Sequence, residues 1–137
     1  MKLLETTNDL IQTAIVTNNK IGLGNIDKRC TKCAYEYNGV DTINLLQNGY
    51  YLILFKADAI STIASQQIQV ALVGNGTISN VARSSVFSSE IGNVNTLNLQ
   101  KIVKVCDIPL SISFINSGTN PATFNNIITS IVKIGWF

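Results

Sequence analysis

The sequence predicts an all-β protein, an antiparallel sandwich of two sheets around one core. Three observations carry that expectation. Apolar side chains alternate with a period of two in most segments, Gly and Asn interrupt the alternation about every 10 to 15 residues, and helical periodicity is nearly absent. At 137 residues the chain also has the length of one domain, enough to bury a single core.

The first residues fit two patterns. Leu4, Ile11 and Ile15 could line a helix, while Ile11, Thr13 and Ile15 alternate as in a strand. The strand is preferred from Leu10 onward, which leaves residues 1–9 as an N-terminal arm or extension and residues 10–137 as the domain. Thr31 to Leu46 is expected to give two short strands around Asn38-Gly39. Gly49 opens the clearest strand, Tyr50-Tyr51-Leu52-Ile53-Leu54-Phe55. Ile68 to Val73 follows, and Gly74-Asn75-Gly76 closes it in a hairpin, because Asn-Gly accepts the positive φ angles of a tight turn. Further strands are expected at Val81 to Ser88, Leu97 to Val105 with Lys101 breaking the alternation, Leu110 to Ile115, and Ile127 to Phe137. Both prolines, Pro109 and Pro121, fall between these segments.

The central strand has an unusual property: both of its faces are apolar. Tyr51, Ile53 and Phe55 share one face, and Tyr50, Leu52 and Leu54 the other. A sandwich buries only the inner face of each sheet, so the second apolar face needs a cover of its own. The C-terminal segment doubles in the same way, with Ile127 and Ile131 opposite Ile128, Val132, Ile134 and Trp136. No helix is left to act as the cover, and self-association is the economical answer. The alternative is a thicker monomeric fold in which all six residues of the central strand are core.

Composition agrees with association. Apolar residues make up 46% of the chain and charged residues 13%, against roughly 25% charged in ordinary soluble domains. Part of the surface must then be uncharged polar, and part is expected to meet other copies. A formal net charge of +2 with scattered lysines offers no footprint for nucleic acid, and the basic spot Lys28, Arg29 and Lys32 is read as a solvated turn. No apolar run approaches the roughly 18 residues of a membrane span. Glu5, Asn8 and Asp9 interrupt the N-terminal stretch where a secretory signal would be continuously apolar, so the protein is expected to be made and kept in the cytoplasm unless a particle carries it out.

Chemistry is sparse. The absence of histidine removes the usual general base and the commonest transition-metal ligand. The carboxylates Glu5, Asp9, Asp27, Glu36, Asp41, Asp58, Glu90 and Asp107 lie mostly beside turns and strand ends, and are read as solvated. Cys30-Thr31-Lys32-Cys33 is a single C-x-x-C with only Cys106 as a further thiol, short of a zinc set and outside the βαβ context of a redox motif. The three are read as free thiols, with a Cys30 to Cys33 disulfide open to oxidation outside the cell. Gly22-Leu23-Gly24 is a turn and not a phosphate loop, since no helix follows it. No catalytic residue, metal or cofactor is expected, and Asn75-Gly76-Thr77 would matter as a glycosylation acceptor only on a eukaryotic secretory route.

The stretch Gly49-Tyr50-Tyr51-Leu52-Ile53-Leu54-Phe55 resembles the Gly-x-Tyr-x-(Ile/Phe) strand in the middle of tumour necrosis factor and C1q-type domains. The order around it is similar too: an Asn-Gly turn after the next strand, a Ser/Asn-rich strand, the Leu97 strand, Ser111-Ile112-Ser113-Phe114 with Asn116 and Gly118 beyond, and a last apolar strand. The resemblance implies a jelly roll of about ten strands in a threefold homotrimer. It implies that Tyr51, Ile53 and Phe55 face the core, and that Tyr50, Leu52, Leu54, Ile134, Trp136 and Phe137 lie toward the threefold axis. The function expected is a non-enzymatic trimeric structural or adhesion module of a bacteriophage virion: a capsid decoration, head fibre or receptor-binding protein. Its partners would be other copies, other virion proteins, or a glycan or protein of the host surface. A bacterial surface or spore-coat C1q-like or carbohydrate-binding domain is the alternative.

Overall fold

A computed structural model describes residues 2–29 and 34–136, with every side chain among them except those of Asn80 and Val81. Among these residues there are eleven strands: β1 (Lys2–Asn8), β2 (Gln12–Ile15), β3 (Asn25–Arg29), β4 (Tyr35–Tyr37), β5 (Ile43–Leu45), β6 (Gly49–Ser61), β7 (Gln66–Gly74), β8 (Thr77–Ser88), β9 (Val94–Val105), β10 (Leu110–Asn116) and β11 (Ala122–Gly135). They form two antiparallel sheets. One runs β3-β1-β11-β6-β9, with β2 also paired to β11, and the other runs β4-β5-β10-β7-β8. From β5 onward nearly every connection crosses between the sheets, and only the β7–β8 hairpin stays within one. That wiring is the jelly roll that the resemblance implies, with eleven strands among the described residues where about ten are expected.

Alternation sets the core. β6 buries Tyr51, Ile53, Phe55, Ala57 and Ala59 on one side, and the opposing sheet answers with Ile43, Leu45, Ile68, Val70, Ile112 and Phe114. Phe55 and Phe114 stack across the two layers with ring centroids 4.3 Å apart, and Tyr35 meets Tyr51 edge to face at 6.0 Å. The hairpin turn is where Asn-Gly places it, with Gly74 paired to Thr77 and φ of 46° at Asn75 and 81° at Gly76. Asn38-Gly39 likewise lies between β4 and β5, and the Asn38 carboxamide oxygen accepts bonds from the backbone N–H groups of Val40, Asp41 and Thr42.

Two expectations change. Residues 2–8, read as part of an arm before the domain, form β1, an interior strand bonded to β11 on one side and β3 on the other. Its alternation was obscured because the second inward position is polar: Leu4 and Thr6 both point into the core. Gly22-Leu23-Gly24, read as a turn, belongs to a connecting segment that pushes Ile21 and Leu23 fully into the core. The Gln12 side chain holds this segment as a strand neighbour would, accepting from Gly22 N–H at 2.7 Å and donating to Gly22 C=O at 2.9 Å. The C-x-x-C at Cys30 and Cys33, Lys32 and the terminal Phe137 lie outside the described residues.

Thr6 and Thr129 face each other across β1 and β11, fully buried, and neither hydroxyl has a hydrogen-bond partner. A buried hydroxyl without a partner costs about 1–3 kcal/mol. Thr129→Val, which exchanges that hydroxyl for a methyl group, should therefore raise the unfolding free energy by about 1 kcal/mol in urea titration, with an unchanged m-value.

Candidate self-association face

The two outer faces of the sandwich differ in kind. On the β4-β5-β10-β7-β8 sheet, a polar row crosses the strands: Asn44 donates to Glu36 Oε1 at 3.1 Å and accepts from the Ser111 hydroxyl at 2.5 Å. Gln67, Gln69 and Ser85 continue that face, and its apolar members are a small buried group of Ala71, Val73 and Ile115, with Ile78 beside Val73 and Phe87 exposed at separate places along β8. The register of the other sheet instead aligns Leu3, Val132, Leu52 and Ile102 in one row across β1, β11, β6 and β9. Flanking that row are Tyr50, Leu54 and Ile128, with Ile134 near the end of β11, while Trp136, just past that strand, lays its ring over the ammonium groups of Lys2 and Lys133. Leu54 is 37% exposed, Ile128 41%, Ile134 51% and Ile102 54%. A contiguous apolar patch of this kind marks a surface that another body covers.

The strand faces are as the alternation of β6 requires. Tyr51, Ile53 and Phe55 are within the core, while Tyr50, Leu52 and Leu54 point away from it. A β-bulge between Lys133 and Gly135 in the β11–β6 ladder shifts the end of β11, so that Gly135 rather than Ile134 stands opposite Tyr50. Two further residues of the patch escape a strand-by-strand reading. Ile102 is apolar on the outward side of β9, a signal visible in sequence, and Leu3 belongs to the stretch read as an arm. Beside Leu54 and Ile128 the face is hollowed by a depression of about 430 Å3, whose rim carries Lys56, Asn98, Gln100 and Ser130 and no carboxylate.

The Gly49-x-Tyr51 pair has a local cause. Gly49 adopts φ of +147°, and a Cβ there would lie 2.4 Å from the Gly135 carbonyl oxygen and 2.6 Å from Lys133 Cε, so only glycine lets β6 start beneath the end of β11. Tyr51 then reaches the Gln47 carbonyl with its hydroxyl at 2.7 Å, and Tyr35 donates to the Lys2 carbonyl at 2.8 Å. Burial raises the pKa of both phenols above the ordinary tyrosine value. Tyr37, donating to the carbonyls of Gly24 and Val40, is pushed up to about 12 by burial and then by the nearby Asp41 carboxylate. These hydroxyls are donors that fix loops, and none is poised as an acid or base.

Of the carboxylates, Glu5, Asp27, Glu36 and Asp58 stand on strands and Asp9, Asp41, Glu90 and Asp107 in connections. Glu5 lies 3.9 Å from Lys28 and accepts from Ser130, and Asp58 accepts from Thr96 and Asn126. Among the described residues no group of three His, Cys, Asp or Glu side chains could hold a metal, and Cys106 is an exposed free thiol. No helix among them is long and apolar enough to cross a membrane.

Neither a protein-family model nor a curated protein matches the chain in sequence. Solved structures do match it in shape. The globular domain of a zebrafish complement 1qA protein superposes with a TM-score of 0.73 at 7% identity, covering 98% of both chains. The Eiger TNF of S. frugiperda gives 0.73 at 8% identity over 100% of this chain and 96% of its own, and murine APRIL gives 0.68 at 12% over 97% and 98%. At such identities the likeness speaks for the fold alone: the chain is an all-β jelly roll of the tumour necrosis factor/C1q type.

Proposed function

We propose that the protein is a non-enzymatic binding module that works as a threefold homotrimer, closing the β3-β1-β11-β6-β9 sheets of three copies against one another. The observation that carries this reading is the contrast between the two outer faces, one crossed by Glu36, Asn44 and Ser111 and the other by Leu3, Val132, Leu52 and Ile102. Tyr50, Leu52, Leu54, Ile134 and Trp136 are the contact residues of this reading, joined by Leu3 and Ile102. Full burial of one such side chain gains roughly 1.5–3 kcal/mol, so a handful from each copy offsets the entropy lost on association. Size-exclusion chromatography with light scattering should return a mass three times the chain's 14.9 kDa. A monomer across the micromolar range would remove the trimer.

The uncharged polar surface left outside such a trimer suits an exposed particle component, and we propose a bacteriophage virion protein contacting other virion proteins or a host surface glycan or protein. Antibody raised against the chain should decorate intact purified particles. Particles that contain none of the protein would exclude this role.

A further inference from the structure

We propose that the end of the sandwich where β1 begins and β11 finishes is an oxoanion site, formed by the ammonium groups of Lys2 and Lys133 beside Trp136. The register makes Lys2 and Lys133 direct cross-strand partners, a placement in which like charges repel. Their side chains nevertheless converge. Both ammonium groups donate to the same atom, Gln47 Oε1, with Lys133 at 3.2 Å, and both lie over the indole ring of Trp136, Lys2 at 4.3 Å from its centroid. Among the described residues neither ammonium forms an ion pair with a carboxylate.

The Lys133 side chain is only 9% exposed, and its ammonium group ends against a second cation, one neutral oxygen and a ring face. Burial, and then the neighbouring Lys2 charge, lower its pKa. The backbone is shaped around it, since the missing Cβ of Gly49 is the space through which the Lys133 side chain passes. Each ammonium carries three donors, and the two share one acceptor here. A carboxylate, sulfate or phosphate group supplies both the negative charge and the several lone pairs that these donors lack, through short charge-assisted bonds. A neutral ligand would leave the repulsion in place, and a metal cation would add to it.

The test uses the full chain. Thermal unfolding is followed in sodium sulfate and in sodium chloride at equal ionic strength, for the natural protein, Lys2→Gln and Lys133→Gln. An anion taken from solution should raise the natural protein's midpoint by several degrees in sulfate, saturably, and Lys2→Gln should abolish the rise. A carboxylate supplied by another copy of the chain would show differently: no sulfate response, but a fall in native mass for Lys2→Gln at low salt. Both results support the site and separate its two sources. Lys133→Gln should lose the same response, which guards against an effect peculiar to Lys2. The proposal is overturned if sulfate and chloride act alike and Lys2→Gln keeps its mass and melts higher, the behaviour of a bare repelling pair.

Discussion

Ile53→Asp should leave the chain unfolded at room temperature, while Leu52→Asp, one residue earlier, should leave a folded sandwich that no longer associates. Ile53 is fully buried at the centre of β6, paired to Ile131 and Lys101 on the neighbouring strands. Aspartate there forfeits roughly 1.5–3 kcal/mol of apolar burial and places a carboxylate among apolar groups, at several kcal/mol more. A domain of this size has about 5–15 kcal/mol in total. Leu52 points the other way and is partly exposed in the isolated chain, so a carboxylate at that position remains hydrated until a second copy tries to cover it. Leu54→Asp should behave as Leu52→Asp does. Circular dichroism reads the fold and light scattering the mass; equal unfolding by all three variants would contradict the assignment of faces.

The second large effect is expected at Asn116. This side chain is fully buried at the end of β10, where it donates to the carbonyls of Ile15 at 2.8 Å and Asn120 at 3.0 Å, and accepts from Gly118 N–H at 2.9 Å. Its own backbone accepts from Asn18 N–H and donates to the Asn19 carbonyl. One residue therefore ties the 15–19 segment to the end of β10 and the loop that follows it. Asn116→Leu keeps the volume and removes all three side-chain bonds, and each buried group left without a partner costs about 1–3 kcal/mol. A loss of about 3 kcal/mol or more is expected in chemical denaturation, whereas Asn120→Ala, whose carbonyl is unaffected, should cost under about 1 kcal/mol.

What the sequence discloses follows the range over which each signal acts. Alternation within β6 is local, and it separates Ile53 from Leu52 without any knowledge of neighbouring strands. The Asn75-Gly76 turn is local in the same sense. By contrast, the row Leu3, Val132, Leu52 and Ile102 exists only through the registers of three strand pairings, and no window of sequence contains it. β1 stayed hidden for a different reason, because Thr6 occupies an inward position and breaks the apolar pattern after Leu4. Asn116 and Gly118 could be noted as residues beyond a strand, but their role arises from Ile15 and Asn120 meeting there in space.

The edges of the larger sheet decide what kind of assembly it can make. At one edge β3 exposes Asp27, Lys28 and Arg29, and at the other β9 turns Lys101 toward the inner side of the sheet, opposite Ile53, with Lys104 on its outer side. A further strand added at either edge would have to desolvate these charges along its length, which is how natural sheets discourage end-to-end growth. If copies meet through the apolar face of this sheet, as proposed above, the contact is face to face and does not extend the sheet. A concentrated solution of the protein should therefore fill with small discrete particles and stay clear of fibres.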